Sequence, residues 1–270
     1  MKSNVNPLVS VLTTCYNREI YLGQAIESVL ASTFRDFELI IVDDKSTDGS
    51  LEIARRYEKM DSRIKVFTND VNLGDYPNRN KAASFAKGKY LKYLDSDDII
   101  YPFGLEIMVS RMEAFPEAAV GFSQWGLKSI PFPVLLKPEE AYRWSFLEGG
   151  YLFTNAPSSA IIRRSAFETL GGFSGLNQMG DVEFWLKIAA RFPLLLMEGG
   201  TNFARDHESS EKYKDNTETK HRMLFNLNKT ALESPDNPLS TDEKGLALSL
   251  LQKQFFRKLV KQRLRRWIGK

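Results

Sequence analysis

The chain has 270 residues, of which 43% are hydrophobic and 26% charged, a composition typical of a folded globular protein and not of a disordered one. Its 37 basic and 34 acidic side chains leave a net charge of +3, which gives no reason to expect a nucleic acid partner. The single cysteine, Cys15, excludes a disulfide framework and a zinc site built on several cysteines, and neither a signal peptide nor a membrane span is visible. We therefore expect a cytoplasmic protein with one hydrophobic core.

Strand and helix signals alternate through the first part of the chain. Apolar runs rich in β-branched residues predict strands at 8–14, 37–42, 64–67 and 90–94. The spacing of apolar residues predicts helices at 21–30, at 46–57 with Ser46 or Thr47 as the N-cap, and at 78–86. Because the strands are apolar throughout and are separated by helices, the pattern predicts an α/β fold with a mostly parallel sheet covered on both faces.

The alternation stops after Gln124. Residues 125–157 are rich in proline, glycine and aromatic residues, which favours a long excursion or lid over another strand–helix unit. The pattern then predicts strands at 160–163, 194–197 and 201–204, and helices at 165–170, 181–192, 212–232 and 241–267. We expect a main domain over 1–210, with halves at 1–124 and 125–210, followed by a helical extension over 211–270.

Polar residues follow three of the predicted strands, at 13–17, 43–48 and 95–98. Ligands of open α/β sheets bind outside the carboxyl ends of the strands, so these clusters are expected to share one crevice. The third cluster brings together Asp95, Asp97 and Asp98, which repel one another unless a cation neutralises them. Carboxylate oxygens suit Mg²⁺ or Mn²⁺, often with substrate phosphates as further ligands. The structural alternative is a solvated turn in which Asp97 or Asp98 caps a helix that begins near Pro102.

The cluster after the second strand allows two interpretations. A carboxylate here can accept hydrogen bonds from a base or a ribose, whereas Ser46, Thr47 and Asp48 are better suited to cap a helix. No G-x-G-x-x-G follows the first strand, and no G-x-x-x-x-G-K-[ST] occurs anywhere in the chain. The sequence therefore disfavours both a dinucleotide site of the Rossmann type and a P-loop.

Four ordered motifs resemble those of the inverting family 2 glycosyltransferases, which have the GT-A fold. They are V-S-V-L-T-T-C-Y-N at 9–17, F-E-L-I-I-V-D-D-K-S-T-D-G-S at 37–50, N-L-G…R-N-K-A at 72–82 and G-K-Y-L-K-Y-L-D-S-D-D at 88–98. The resemblance covers about residues 8–207. It implies that 1–124 binds a nucleotide sugar and that 125–210 forms the acceptor side.

The resemblance also implies roles for donor-side residues. Thr14 and Tyr16 would line the pocket for the nucleotide base, and Asp44 would bind the base. Arg79 would approach the nucleotide or its diphosphate. The first motif departs from the family at Thr14, where proline is frequent, but other members also carry threonine at this position.

Three carboxylates carry the implied chemistry. Asp95 and Asp97 match the D-x-D pair, with Asp95 near the nucleotide and the Mg²⁺ or Mn²⁺ ion and Asp97 as the direct metal ligand. Residues 180–187, G-D-V-E-F-W-L-K, resemble the family's E-D-x-x-x-W-L-R motif, with Gly180 in place of the usual acidic residue. Asp181 is thereby implied to be the general base. An aspartate at this point also suits the N-cap of a helix.

Residues 205–210, R-D-H-E-S-S, resemble a late R-x-H-x-x-S element of the family. Arg205 and His207 would stabilise the departing diphosphate directly or through the metal, the alternative being an ordinary surface loop. The resemblance as a whole implies inverting sugar transfer from a nucleotide sugar, by default a UDP-sugar, to a saccharide or lipid-linked acceptor. Two alternatives are a non-catalytic homologue that binds nucleotide sugar and a sugar nucleotidyltransferase, although no Gly-rich basic signature follows the first strand.

The last 25 residues, from Leu246 to Lys270, contain eight basic and no acidic side chains. The predicted helix in this segment has two apolar stripes, one made of Leu248, Leu251, Phe255 and Leu259 and the other of Phe256, Val260, Leu264 and Trp267. We expect the first stripe to pack on the domain. The second, flanked by Lys253, Arg257 and Arg263, suits peripheral contact with anionic lipid at the inner face of the cell membrane. The alternatives are packing against a second subunit, and a helix packed within the domain with its basic side chains solvated.

Overall fold

The computed structural model describes residues 6–124, 131–150, 152–207 and 217–268, without the side chains of 217 and 261–268. The strands are β1 Val9–Cys15, β2 Phe37–Asp43, β3 Ile64–Thr68, β4 Tyr90–Tyr93, β5 Ile99–Ile100, β6 Val120–Gln124, β7 Val134–Leu136, β8 Ala160–Arg163, β9 Leu194–Glu198 and β10 Asn202–Phe203. The helices are α1 Glu19–Leu30, α2 Ser50–Met60, α3 Asp75–Ser84, α4 Gly104–Ala114, α5 Pro138–Phe146, α6 Arg164–Thr169, α7 Gly180–Arg191, α8 Thr217–Glu233 and α9 Thr241–Ile268. Within these ranges, no helix is long and apolar enough to cross a bilayer.

An eight-stranded sheet, in the order β3-β2-β1-β4-β8-β6-β9-β7, forms the centre of the fold. β3, β2, β1 and β4 are parallel neighbours, and β6 and β9 form a second parallel pair. β8 and β7 run antiparallel to the strands beside them, and β5 and β10 form a separate antiparallel ribbon. The predicted α/β fold with a mostly parallel sheet is therefore confirmed. The same sheet joins strands from both predicted halves, because β8 lies between β4 and β6.

Alternate residues of the central strands enter two hydrophobic cores, one on each face of the sheet, so the expectation of one core is wrong. Leu12 and Ile40 belong to one core, whereas Val11 and Leu39 belong to the other. Side chains of a strand point to opposite faces in turn, so a strand with helices on both sides needs an apolar residue at almost every position. This burial explains why the sequence shows continuous apolar runs here instead of an alternating pattern.

Helix α2 begins at Ser50, and the prediction that Ser46 or Thr47 caps it is wrong. Ser46 Oγ accepts a hydrogen bond from Asn17 N (2.9 Å), and Thr47 N donates one to Asn17 Oδ1 (2.8 Å). These bonds tie the loop after β2 to the loop after β1. The side chain that bonds the start of the helix is Asp48, whose Oδ1 accepts a hydrogen bond from Ser50 N (3.0 Å).

Much of the segment predicted as an excursion or lid belongs to the body of the fold. β7 extends the sheet beside β9, and α5 packs against α7. Leu136, Tyr142 and Phe146 are buried, and Tyr142 Oη donates a hydrogen bond to Leu186 O (2.9 Å). The prediction against a further strand–helix unit is therefore wrong. The segment is rich in proline and glycine, yet it also contains a short apolar strand and a helix. Residues 125–130, also part of that prediction, lie outside the described residues.

The two C-terminal helices pack on the main domain and on each other. Leu248 and Leu251 lie against the core beneath them, and Phe255 of α9 stacks on Phe225 of α8 with ring centroids 4.4 Å apart. Phe256 and Val260 are instead 63% and 55% exposed. The first predicted stripe thus packs inward. The second faces outward at these two residues, while the side chains of Arg263, Leu264 and Trp267 lie outside the described part of the chain.

Candidate active site

The loops after β1, β2 and β4 meet at one edge of the sheet, as the positions of the polar clusters predict. β1 and β2 pair in register up to Cys15 and Asp43, and Asp44 N donates a hydrogen bond to Cys15 O (2.7 Å). β4 lies on the other side of β1. Arg18 lies in the loop after β1, and its Nε is 3.1 Å from Asp97 Oδ2 in the loop after β4. The three clusters therefore lie together at this edge of the sheet.

Asp44 is buried and orders the loop at 69–74. Its Oδ1 accepts hydrogen bonds from Asn69 Nδ2 (2.7 Å) and Leu73 N (2.8 Å), and its Oδ2 accepts one from Gly74 N (2.9 Å). Tyr16 is 47% exposed at the neighbouring strand end. Asp44 therefore holds the loop at 69–74 in place, near the exposed ring of Tyr16. This arrangement suits a planar base.

Arg79 lies beneath the D-x-D pair with a side chain that is only 9% exposed. Its Nη2 lies 2.7 Å from Asp95 Oδ1, and its Nε lies 2.7 Å from Asp75 Oδ1. An arginine fork held by two carboxylates has little freedom to move, so Arg79 fixes the orientation of Asp95. The structure thus places Arg79 directly on one of the predicted metal ligands.

The late Arg205 and His207 converge on the same acidic loop. His207 Nε2 lies 2.9 Å from Asp97 Oδ2, an oxygen that it shares with Arg18. Arg205 donates from its backbone N to Asp98 Oδ1 (3.0 Å) and from Nε to Asp97 O (2.9 Å). The β5–β10 ribbon brings these two segments together, although they are more than 100 residues apart in the chain. These contacts hold Arg205 and His207 against the acidic loop.

The acidic loop is electrostatically crowded. Burial, followed by repulsion from Asp95, raises the pKa of Asp98 to about 7. Beneath the loop, burial lowers the pKa of the fully buried Lys92 to about 7, and its ammonium group donates a hydrogen bond to Ser158 O. Helix α4 begins at Gly104, so the prediction that Asp97 or Asp98 caps it is wrong.

A divalent cation fits this loop. Among the described residues, Asp95 Oδ2 and Asp97 Oδ1 accept no hydrogen bond, while the other oxygen of each carboxylate is bound to a basic side chain. Two such oxygens match what Mg²⁺ takes from a protein when substrate phosphates supply further ligands. The described residues contain no group of three or more acidic, His or Cys side chains that could hold a metal ion by themselves.

Asp181 lies in the first turn of α7, where burial raises its pKa. Its Oδ1 accepts hydrogen bonds from Tyr76 Oη (2.9 Å) and from Val182 N (2.8 Å). The N-cap of α7 is Met179, so the alternative in which Asp181 serves as the cap is wrong. A partly buried carboxylate with a raised pKa binds a proton more readily than an exposed one, a property that general bases share.

Three residues of this site were missed by sequence reasoning. Arg18 follows the first motif directly, and its position in a strand-end loop was a usable signal. Lys92 is a charge inside an otherwise apolar strand, which is a signal of a buried polar role. Tyr76 carries no local signal, because its partner Asp181 is 105 residues away.

The chain is similar in sequence to curated proteins that are named as glycosyltransferases. The chain is 32% identical over 200 residues to the putative glycosyltransferase EpsE of Bacillus subtilis, covering 68% of this chain and 67% of EpsE. Across three curated relatives, the alignments span from 48% to 67% of the relative's length.

Solved structures show the same fold. S. aureus TarS 1–349 in complex with UDP-GlcNAc superposes with a TM-score of 0.73 at 20% identity, covering 92% of this chain and 72% of that chain. The mannosyltransferase PcManGT of Pyrobaculum calidifontis, in complex with GDP-Man and Mn²⁺, gives a TM-score of 0.65 at 17% identity, covering 93% and 74%. The chain therefore has the GT-A fold. The family described as "Glycosyl transferase family 2" matches residues 10–171, more than half of the sequence, and the chain belongs to this family.

Proposed function

We propose that the chain transfers a sugar, with inversion, from a nucleotide-sugar donor to a saccharide or lipid-linked acceptor. The proposal rests on one observation: two side chains of helix α3 contact the two parts of the site. Tyr76 reaches Asp181, and Arg79, three residues later on the same helix, reaches Asp95. Because residues three apart lie on one face of a helix, the acidic loop and the implied base adjoin the same surface of α3.

In the proposed reaction, the diphosphate of the donor lies at the acidic loop. Asp95 and Asp97 would hold Mg²⁺ or Mn²⁺, an ion that neutralises charge developing on the leaving phosphate. Arg18, Arg205 and His207 surround Asp97, and the two arginines supply positive charge on the protein side. Electrostatic groups fixed in place before reaction are the largest source of such stabilisation.

Asp181 would act on the acceptor. Its Oδ2 accepts no hydrogen bond from the described residues, so this oxygen can take the proton of the acceptor hydroxyl. The acceptor oxygen forms its bond to C1 of the sugar as the bond from C1 to the phosphate oxygen breaks, and the electron pair leaves with the diphosphate. Attack opposite the leaving group inverts the anomeric centre without a covalent intermediate. A UDP-sugar is the proposed donor, in line with the nucleotide bound by TarS.

Thermal denaturation with a panel of nucleotide sugars and Mn²⁺ tests donor binding. A donor at about 100 times its Kd stabilises the folded state by about 2.7 kcal/mol, which raises Tm by roughly 5–10 °C for a chain of this size. We expect one nucleotide sugar to give the largest rise, and EDTA to reduce it. Nucleoside diphosphates without a sugar serve as controls. If no nucleotide sugar shifts Tm at millimolar concentration, the proposed function is wrong.

We also propose that the outward face of α9 contacts anionic lipid, near which a lipid-linked acceptor would be found. Phe256 and Val260 are exposed, and the basic Lys253 and Arg257 each lie three residues before one of them in the helix. Apolar side chains inserted between headgroups and basic side chains at the headgroup surface both favour such binding.

Vesicle co-sedimentation tests this surface. The double variant Phe256→Ser, Val260→Ser should bind vesicles rich in anionic lipid about tenfold more weakly or worse, because two exposed apolar side chains are lost. Binding of the unaltered chain should also fall as salt is raised. Met60→Ser, which removes an apolar side chain exposed elsewhere, is the matched control. Truncation after Gln254 is a less specific test of lipid contact, since it also removes the Phe255–Phe225 contact. Equal sedimentation of the double variant and the unaltered chain would reject lipid contact.

A further inference from the structure

Tyr76 and Gly180 form a closely fitted pair beside Asp181. A Cβ atom added at Gly180 would lie 2.8–2.9 Å from three atoms of the Tyr76 ring, closer than real Cβ contacts come. Tyr76 is buried, and its ring also packs on Phe173 at a centroid distance of 5.2 Å. The ring is thus fixed between α3 and α7, and it occupies the space that a side chain at position 180 would need.

This fit explains the departure of the chain from the acidic pair at 180–181. The residue before Asp181 has no side chain because the Tyr76 ring fills that space. In exchange, the Tyr76 hydroxyl bonds Asp181 Oδ1 at 2.9 Å. Burial raises the pKa of Tyr76 well above its ordinary value, so its hydroxyl stays protonated and remains a hydrogen-bond donor at every pH at which the protein would work.

We propose that Tyr76 is the positioning residue of the general base. The absence of a side chain at Gly180 leaves room for the Tyr76 ring. Its hydroxyl holds Asp181 Oδ1 and leaves Oδ2 to face the acceptor hydroxyl. This inference rests on the proposed function, in which Asp181 removes the acceptor's proton. Tyr76 itself touches neither substrate nor metal in this scheme and acts only through Asp181.

The surroundings of Asp181 determine how its protonation responds. Burial raises its pKa, whereas the hydrogen bonds from Tyr76 and from Val182 N lower it. Arg79 favours the ionised carboxylate, and Asp75 opposes it. These two charged groups both lie on α3, as does Tyr76. On α7 itself, the nearby Glu183 is bound to Ser174 and Lys187. Removing the Tyr76 hydroxyl therefore moves the pKa of Asp181 upward.

Tyr76→Phe tests the proposal, since it removes the hydroxyl and keeps the ring. The loss of one hydrogen bond to the base should lower kcat about tenfold, with an unchanged KM for the donor. The acidic limb of the kcat–pH profile should move to higher pH, because the bond that favours the ionised carboxylate is gone. In an Asp181→Asn background, the same change should have no further effect on kcat.

Tyr142→Phe is the matched control. Its hydroxyl is also buried and also bonds α7, at Leu186 O, but it does not contact Asp181. It should leave kcat and the pH profile unchanged. If Tyr76→Phe also leaves both unchanged while Asp181→Asn is inactive, the positioning role is wrong and the proposed function stands. If Asp181→Asn is itself fully active, the assignment of the base fails instead.

Discussion

Asp181→Asn should lower turnover by about 10²–10⁴-fold, the usual contribution of a positioned general base, with little change in nucleotide-sugar affinity. Asparagine has nearly the same shape and can still accept the Tyr76 and Val182 hydrogen bonds, but it cannot take a proton from the acceptor. Steady-state kinetics with the donor from the thermal panel, together with donor binding by calorimetry, separates the two effects. For the unaltered chain, kcat should fall as pH falls through the raised pKa of Asp181, because the carboxylate must be ionised to act.

Glu183→Gln provides the matched control for this variant. It makes the same change of charge on the same helix, two residues further on, at a side chain bound to Ser174 and Lys187. We expect its turnover to stay close to that of the unaltered chain. A near-normal rate for Asp181→Asn would remove Asp181 as the base, and a loss confined to Glu183→Gln would transfer that role to Glu183.

Asp97→Asn should abolish the response of donor binding to Mn²⁺ and lower turnover by about 10²–10³-fold, as expected when charge stabilisation at the leaving group is lost. The Asp97 side chain bonds both Arg18 and His207, so its charge holds the two basic side chains as well as the proposed ion. Calorimetric titration of the donor with Mn²⁺ and with EDTA measures this directly. The melting curve without ligand reports whether the fold is retained.

Asp70→Asn is the corresponding control, because Asp70 is an exposed aspartate outside the acidic loop. It should keep the full Mn²⁺ response. Full activity of the unaltered chain in excess EDTA, or an undiminished Mn²⁺ response in Asp97→Asn, would contradict the proposed metal site.

Local sequence patterns were enough to predict strands β1 to β4 and the acidic loop. Strands buried on both faces have to be apolar throughout, and carboxylates after such a strand have to lie at the ligand-binding edge. Both features involve neighbours in sequence, which explains why β1 to β4 and Asp95 to Asp98 are where the sequence indicates them.

The parts that sequence reasoning missed depend on distant contacts. Tyr76 matters because Asp181, 105 residues away, accepts its hydrogen bond. Ser46 and Thr47 have the residue types of helix caps, yet both form hydrogen bonds with Asn17 of the preceding loop instead. β7 becomes a strand through its pairing with β9, which lies about 60 residues further along the chain.

The interleaved strand order also constrains how the protein is made. β4 receives its second neighbour only when β8, at Ala160–Arg163, has been synthesised, and β6 has neither of its neighbours until β8 and β9 emerge. A nascent chain of 124 residues would therefore carry apolar strands with unpaired backbone N–H and C=O groups. Such edges are templates for aggregation, and long-range pairing slows folding. Separate expression of the two halves is consequently a poor route to a folded donor-binding fragment, and chaperone protection is most useful before β9 is complete.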